Sequence, residues 1–405
     1  MGEPKLRFKA DDGSDFPNWE EKTLGELCEP LTYGMNTAAT KFDGENRYIR
    51  ITDIDDETHA FLSNDVVSPS GELDDKYLVK KGDILLARTG ASTGKSYLYH
   101  PKDGKLFYAG FLIKAHVLPS SDDYFIYSQT LTDRYGKWVK TTSMRSGQPG
   151  INANEYASYS FSVPSLPEQR KIADLLSAVD DVIAAQEAEV AAWEKRKKGV
   201  MQKLFSQEVR FKADDGSDFP DWEEKTLGEI CEQLKASIDP RNNPTKQFIE
   251  YSMPAYDNHM AAQAVLGQSM NSARKILSAP CVLINKLNVR KRRIWVVEHP
   301  EDNAVCSSEF VPLTSAEFDL RFLGYLAMTD SFTGYLLDCS SGSSNSQKRV
   351  TPDTILQYLV SLPSLPEQRK IADCLASFDD VIAKAKDELD AWRELKKGLL
   401  QQMFV

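Results

Sequence analysis

The sequence predicts an α/β protein of two globular domains in pseudo-twofold arrangement, joined by two long helices that pair antiparallel as a coiled coil. Three observations predict it: the chain is internally duplicated, the blocks between the duplicated segments match in length, and each repeat ends in a long heptad-patterned stretch.

The duplication is direct. Residues 7–29 (RFKADDGSDFPNWEEKTLGELCE) return at 210–232 with 21 of 23 positions identical, and residues 164–205 return at 363–404, both opening PSLPEQRKIAD, with 25 of 42 identical. The intervening blocks, 30–163 and 233–362, are 134 and 130 residues long and show no obvious match to one another. Tandem duplication followed by drift leaves mosaics, but drift alone does not confine identity to the frame. One scaffold carrying two different surfaces does. The expected division is a domain over 1–163, a helix over 164–206, a second domain over 207–362 and a second helix over 363–405.

Each repeated tail reads as one helix. Pro167 and Pro366 suit a first turn, and no further Pro or interior Gly occurs until Gly199 and Gly398. Alternating steps of four and three give Ile172, Leu176, Val179, Ile183, Gln186, Val190, Trp193, Lys197, Val200 and Leu204. The second copy gives Ile371, Leu375, Phe378, Ile382, Ala385, Leu389, Trp392, Lys396, Leu399 and Met403. This is a coiled-coil period held for about five heptads and broken at the same two places in both copies. An ordinary amphipathic helix packed on its own domain is the alternative, but ~38 residues span ~57 Å, more than one such block covers. Paired antiparallel, the helices would hold the blocks at opposite ends of a rod, and the flank of Ala184, Ala185, Ala188, Ala191 and Ala192 would admit helices of a partner.

Composition bounds the function. At 405 residues with 41% hydrophobic content, the chain can bury more than one core. No apolar run approaches the ~20 residues of a membrane span, and the charged start lacks a signal-peptide core, so a soluble, cytoplasmic protein is expected. The six cysteines (Cys28, Cys231, Cys281, Cys306, Cys339, Cys374) form no CxxC and the five histidines no HxxxH, so neither a zinc site nor a disulfide framework is expected. Net charge is −11, yet residues 76–145 carry 12 Lys+Arg against 5 Asp+Glu and residues 240–293 carry 9 against 2. Much of the acid lies in 43–75, with 10 acids against 2 bases. A basic run in each half of a duplicated chain points to a shared anionic ligand.

Motifs for self-sufficient catalysis are missing. GASTGKS (90–96) resembles a phosphate loop, but only Ala91, Ser92 and Thr93 separate Gly90 from Gly94-Lys95, one residue short of the wrap a Walker A needs. It reads better as a strand-to-loop turn whose glycines let backbone approach DNA, with Arg88 and Lys95 reaching phosphates. There is no Asn/Asp-Pro-Pro-aromatic methyltransferase motif, and no ExK follows Pro352-Asp353 as a metal-dependent nuclease would need.

PSLPEQRKIAD opening a long helix, twice, with WEEKTLGE heads before variable blocks, is similar to the repeated regions of type I restriction-modification specificity subunits. YIRITDID (48–55) and VKKGDILLARTGASTGK (79–95) resemble segments of their target recognition domains. The resemblance covers essentially the whole chain. It implies two target recognition domains, each reading half of a bipartite site in double-stranded DNA, with the two helices acting as a ruler. It also implies a non-catalytic chain that binds two adenine methyltransferase subunits and is joined by restriction motor subunits, with S-adenosylmethionine, ATP and Mg2+ on those partners and no cofactor here. The second block lacks GDILLxRxGxxxGK; its corresponding strand and loop are expected at 279–297 (APCVLINKLNVRKRRIWVV), followed by AVCSSEFVPL (304–313).

Base reading in the major groove uses Arg on guanine and Asn or Gln on adenine. In the first block the candidates are Arg88, Lys95, Arg134, Lys137, Lys140, Arg145 and Gln148. In the second they are Arg290, Lys291, Arg292 and Arg293, and Asn345, Gln347, Lys348 and Arg349, on stretches too polar to be core. Four consecutive cations point in several directions, so they are expected to clamp phosphates and position rather than specify. A scaffold whose coiled coil organises protein partners without reading DNA is the alternative function, and a free-standing nuclease or methylase a third.

Overall fold

In the computed structural model, which describes residues 4–144, 148–342 and 347–404, the chain forms two compact units, residues 1–188 with 387–405 and residues 189–386. The two long helices are found as Leu166–Phe205 and Leu365–Met403.

In the first unit, pairing of Glu20–Thr23 with Ser160–Val163 brings the ends of the first block together. Within the block an antiparallel sheet has the order Thr32–Tyr33, Leu112–His116, Asp83–Ala87, Ser96–Leu98. Strand Asp83–Ala87 is buried at all five positions, which is why the four residues after Asp83 read as a continuous apolar run rather than an alternating one. Its side chains serve two cores. Ile84 and Leu86 join Phe125, Tyr156 and the start of the long helix at Ile172 and Leu176, while Leu85 and Ala87 join Ile49, Leu106 and Tyr108.

The second unit repeats this plan with other residues. Glu223–Thr226 pairs with Leu359–Leu362, and the sheet order is Glu232–Gln233, Phe310–Thr314, Cys281–Asn285, Ile294–Val297. Val282 and Ile284 face Phe322, Ile371 and Leu375; Cys281 and Leu283 face Tyr251, Trp295 and Cys306. The CVLIN strand thus occupies the place of DILLA, as its position in the chain suggested. A parallel strand pairing recurs as well, Arg47–Ile49 with Leu106–Tyr108 and Gln247–Tyr251 with Ala304–Ser307. The second unit differs in joining its parallel pair to three more strands in a five-stranded sheet.

The repeated frame is held by its own identical residues. Glu168, fully buried in the first turn of its helix, accepts from Arg7 Nε and Nη2 at 3.0 and 2.8 Å and from Trp19 Nε1 at 3.2 Å. Glu367 accepts the same three bonds from Arg210 and Trp222 at 3.1, 2.9 and 3.0 Å. The neighbouring glutamines act alike. Gln169 accepts from the Asp122 backbone N–H and donates to the Pro164 carbonyl; Gln368 accepts from that of Asp319 and donates to the Pro363 carbonyl. Asp122 and Asp319 in turn cap the helices Asp123–Gln129 and Leu320–Ala327. Lys171 and Lys370 reach back to Asp11 and Asp214 of the head. The identical EQRK runs are therefore the side of the helix that fastens head, block and helix together.

The long helices run antiparallel, since rising numbers on one meet falling numbers on the other. In the first unit Asp180 pairs with Lys396 and Glu187 with Arg393; in the second, Glu194 pairs with Lys386 and Lys197 with Asp379. Only the middle of the expected seam is helix against helix. Val179, Ile183 and Leu389 cluster with Trp392, Trp193 meets Phe378 edge to face at 6.2 Å, and Val190 and Ile382 are buried. Ile172, Leu176, Ile371 and Leu375 instead enter the block cores, because the first turns of each helix lie on their own sheet.

The second of the two shared breaks in the heptads, at Lys197 and Lys396, has a physical cause. Lys396 and Lys197 occupy apolar seam positions, and each salt-bridges an aspartate, Asp180 and Asp379, whose other carboxylate oxygen accepts from Tyr124 or Tyr325 of the adjoining block. Each Tyr–Asp–Lys chain links a block, its own helix and the returning helix.

Packing in the frame and in the first block can be tested separately. Arg210→Ala leaves Glu367 buried without its cation and should cost about 3 kcal/mol of stability, with Arg210→Met/Glu367→Leu recovering much of it; thermal and urea unfolding of the two variants measure the difference. Gly94 has φ +93°, and a Cβ there would lie 2.6 Å from Val139 Cγ1, so Gly94→Ala should lower the unfolding temperature by several degrees, whereas Gly136→Ala, where a Cβ meets nothing, should not.

Candidate nucleic-acid interface

In both units the chain leaves the central strand at one end of the sheet, and there the candidate stretches converge. In the first, the Arg88 N–H donates to the Phe111 carbonyl at 3.0 Å and the Ile151 N–H to the Arg88 carbonyl at 2.9 Å, with a bridge between Thr89 and Gly150. In the second, the Lys286 N–H donates to the Glu309 carbonyl at 2.9 Å and the Val350 N–H to the Lys286 carbonyl at 3.0 Å, with a bridge between Leu287 and Arg349. One hydrogen-bond skeleton thus holds two sets of side chains that share a cation on the strand end, Arg88 or Lys286, and differ at Phe111 and Glu309, Thr89 and Leu287, and Gly150 and Arg349.

Those side chains divide into exposed and internally bound. Arg88 is half-buried, its guanidinium 4.8 Å from the Tyr33 ring centroid. Lys137 and Lys140 are exposed on the helix Asp133–Thr142, and Gln148 is exposed beside Gly90. Arg134, also exposed, donates to the Ser160 carbonyl at 3.3 Å. Lys95 departs from the expectation that it reaches a phosphate: its side chain is only 11% exposed, donates to the Ile54 carbonyl at 2.9 Å and pairs with Asp56. Gly94 of the turn likewise serves packing, since it lies under Val139 and its carbonyl accepts from Tyr135 Oη at 3.0 Å. Arg145 lies outside the described residues.

The four consecutive cations of the second block do not act alike, which corrects the expectation that all four, on a loop, clamp phosphates. Arg290 and Lys291 are exposed. Arg292 donates to the Met328 carbonyl at 2.8 Å and pairs with Asp330. Arg293, 7% exposed, holds Asp257 through two bonds of 2.8 and 2.6 Å. The guanidiniums of Arg293 and Arg292 hold the Asp257 and Asp330 carboxyls below the usual carboxylate range, so both pairs remain ionised well below neutral pH. Arg293 is buried because strand Ile294–Val297 starts at the next residue. Gln347 is exposed, the Lys348 carbonyl accepts from the Asn288 N–H at 2.7 Å, and Arg349 Nη2 lies 3.1 Å from Glu309 Oε2. Asn345 lies outside the described residues.

Sequence reasoning missed three residues of this region: Phe111 and Met144, 63% and 74% exposed, and Tyr33, 42% exposed. Phe111 stands directly before Leu112 and Ile113, apolar neighbours that give no sign of its exposure. Among the described residues no group of His, Cys, Asp and Glu could hold a metal ion, and no helix is long and apolar enough to cross a membrane. Burial pushes the Cys28, Cys231 and Cys281 thiols up to about 12, so these groups stay protonated and serve the cores.

Two copies of one module, alike in skeleton and unlike at the end of the central strand, define a class of paired recognition proteins. The chain belongs to the family described as the type I restriction modification DNA specificity domain, which matches residues 17–192 and 220–391. It is similar to the type I restriction enzyme MjaVIII specificity subunit of Methanocaldococcus jannaschii, 23% identical over 423 residues that cover 98% of this chain and 95% of that protein. Similarity to the HindI specificity subunit of Haemophilus influenzae is 22% over 188 residues, 46% of this chain and 41% of that one. The fold matches that of the type I S subunit from M. genitalium, with a TM-score of 0.58 at 17% identity over 100% of this chain and 99% of the other. It also matches a chain from structural work on complex assembly and conformational transition of the type I R-M system, with a TM-score of 0.57 at 17% identity over 96% and 97%. The protein is a specificity subunit with two DNA-recognition domains.

Exposure separates two outcomes for the basic run. Arg290→Ala/Lys291→Ala should flatten the dependence of log affinity on log salt by about 0.9 for each phosphate no longer neutralised, leaving thermal stability unchanged. Arg293→Ala should do the reverse, lowering the unfolding temperature with the salt slope unaltered.

Proposed function

We propose that this chain is the non-catalytic, sequence-reading subunit of a type I restriction-modification complex acting on chromosomal DNA in the cytoplasm. Each unit reads one half of a bipartite duplex target. Two adenine methyltransferase subunits, and restriction motor subunits, are directed to it; S-adenosylmethionine, ATP and Mg2+ are bound by those partners and none by this chain. The observation that carries the reading is the shared hydrogen-bond skeleton at the end of the central strand in both units, beside the divergence of the residues it presents at Phe111 and Glu309, Thr89 and Leu287, and Gly150 and Arg349. A scaffold with no DNA to read has no need of that combination.

The exposed alanines of the first long helix, Ala184, Ala185, Ala188, Ala191 and Ala192, support methyltransferase docking, because small side chains let a partner helix approach closely. Phosphate contacts from the exposed lysines and arginines supply affinity and register, and contacts to base edges supply sequence.

Exchanging residues 233–362 for the block of a related specificity subunit should change one half of the methylated motif and leave the other half intact. Mapping methylated adenines in cells that carry the hybrid and its methyltransferase subunits is the measurement. A change in both halves would refute independent reading.

A further inference from the structure

The turn beneath Arg88 presents an aromatic ring to solvent on a rigid mount. Ala109–Leu112 closes through the Leu112 N–H to the Ala109 carbonyl at 2.8 Å, and a neighbouring segment grips it from below. The Gly110 N–H donates to the Met35 carbonyl at 2.7 Å, the Met35 N–H to the Tyr108 carbonyl at 2.9 Å, and the Gly34 N–H to the Leu112 carbonyl at 3.2 Å. The approach is so close that a Cβ on Gly34 would fall 2.3 Å from the Ala109 carbonyl oxygen. Phe111 at the tip is nonetheless 63% exposed. A large apolar side chain held this firmly in water is pre-organised for a ligand, since little conformational entropy remains to be given up on binding.

Its surroundings indicate which ligand. The Arg88 N–H is bonded to the Phe111 carbonyl, and the Arg88 guanidinium lies over Tyr33. The helix bearing the exposed Lys137 and Lys140 ends at Thr142, and the Ser143 carbonyl that follows accepts from the Gly150 N–H of the same convergence. In the second unit the same strand-end bond, from the Lys286 N–H, goes to the Glu309 carbonyl, so that Glu309 beside Arg349 stands in place of Phe111 beside Gly150. A position that keeps its bond to the end of the central strand and exchanges an apolar ring for a polar pair behaves as a reader of chemistry, not as a core position.

Resting on the function proposed above, we infer that Phe111 is a specificity-determining residue of the first unit that packs on the 5-methyl group of a thymine in the major groove, with Arg88 contacting the same or the adjacent base pair. Thymine is the base whose groove edge is apolar, and phenyl rings are among the side chains that meet its methyl.

The test uses the chain assembled with its methyltransferase subunits and duplexes bearing its mapped target, each thymine of one half replaced in turn by deoxyuridine, which lacks only that methyl. Wild-type affinity should fall about fourfold at one position, the worth of one buried methyl. Phe111→Ala should bind the thymine and deoxyuridine duplexes equally, and Phe111→Leu should restore part of the difference. The inference is overturned if no position is sensitive in the wild type, or if Phe111→Ala keeps the same ratio. Loss of methyltransferase subunits from the Phe111→Ala assembly with the ratio intact would make the ring a protein contact and overturn it too. A wild-type assembly that methylates no bipartite sequence would refute the proposed function and this inference with it, whereas a defined target insensitive to the methyl refutes this inference alone.

Discussion

A carboxylate buried in the first turn of each long helix is the constraint on which the rest depends. Glu168 and Glu367 are wholly out of water, a position that costs several kcal/mol per ion unless donors fill the oxygens. Arg7 with Trp19, and Arg210 with Trp222, supply them. Because the donors come from the head, 145 to 161 residues earlier in the chain, the bonds close each block into a loop whose two ends meet at the helix. No member can change alone without stranding a buried charge. This accounts for near-identity across the frame and for the freedom of the blocks, whose outer loops take no part in the network.

Within each block the central strand divides labour in a similar way. Its alternate side chains fill two cores, and its end fixes the loops through backbone hydrogen bonds that are indifferent to side-chain identity. Stability is therefore lodged in the strand and the helices behind it, while the surface at its end can vary without refolding the module. The basic run 290–293 shows how sharply the boundary falls: two residues face water and the next two are paired with Asp330 and Asp257.

The helix pair combines apolar and polar registration. Val179, Ile183, Leu389 and Trp392 supply burial, and the chains Tyr124–Asp180–Lys396 and Tyr325–Asp379–Lys197 tie each block to both helices. A lysine in a seam position weakens the coiled coil as such and fixes one alignment, the best attested role of polar groups in such seams.

The sequence by itself determined the duplication, the two long helices and the central strands Asp83–Ala87 and Cys281–Asn285, because repeats, heptads and unbroken apolar runs are local patterns that survive without knowledge of neighbours. It did not separate free cations from bound ones. Lys95, Arg292 and Arg293 have compositions of loop residues, and their partners Asp56, Asp330 and Asp257 lie dozens of positions away in the chain. Nor did it reveal that Phe111 faces water, since an apolar residue in an apolar run carries no mark of the turn that lifts it out. Only the tertiary structure decided these points, because charge pairing and exposure depend on which distant segments meet, and a periodic pattern records only what the nearest turn or strand requires.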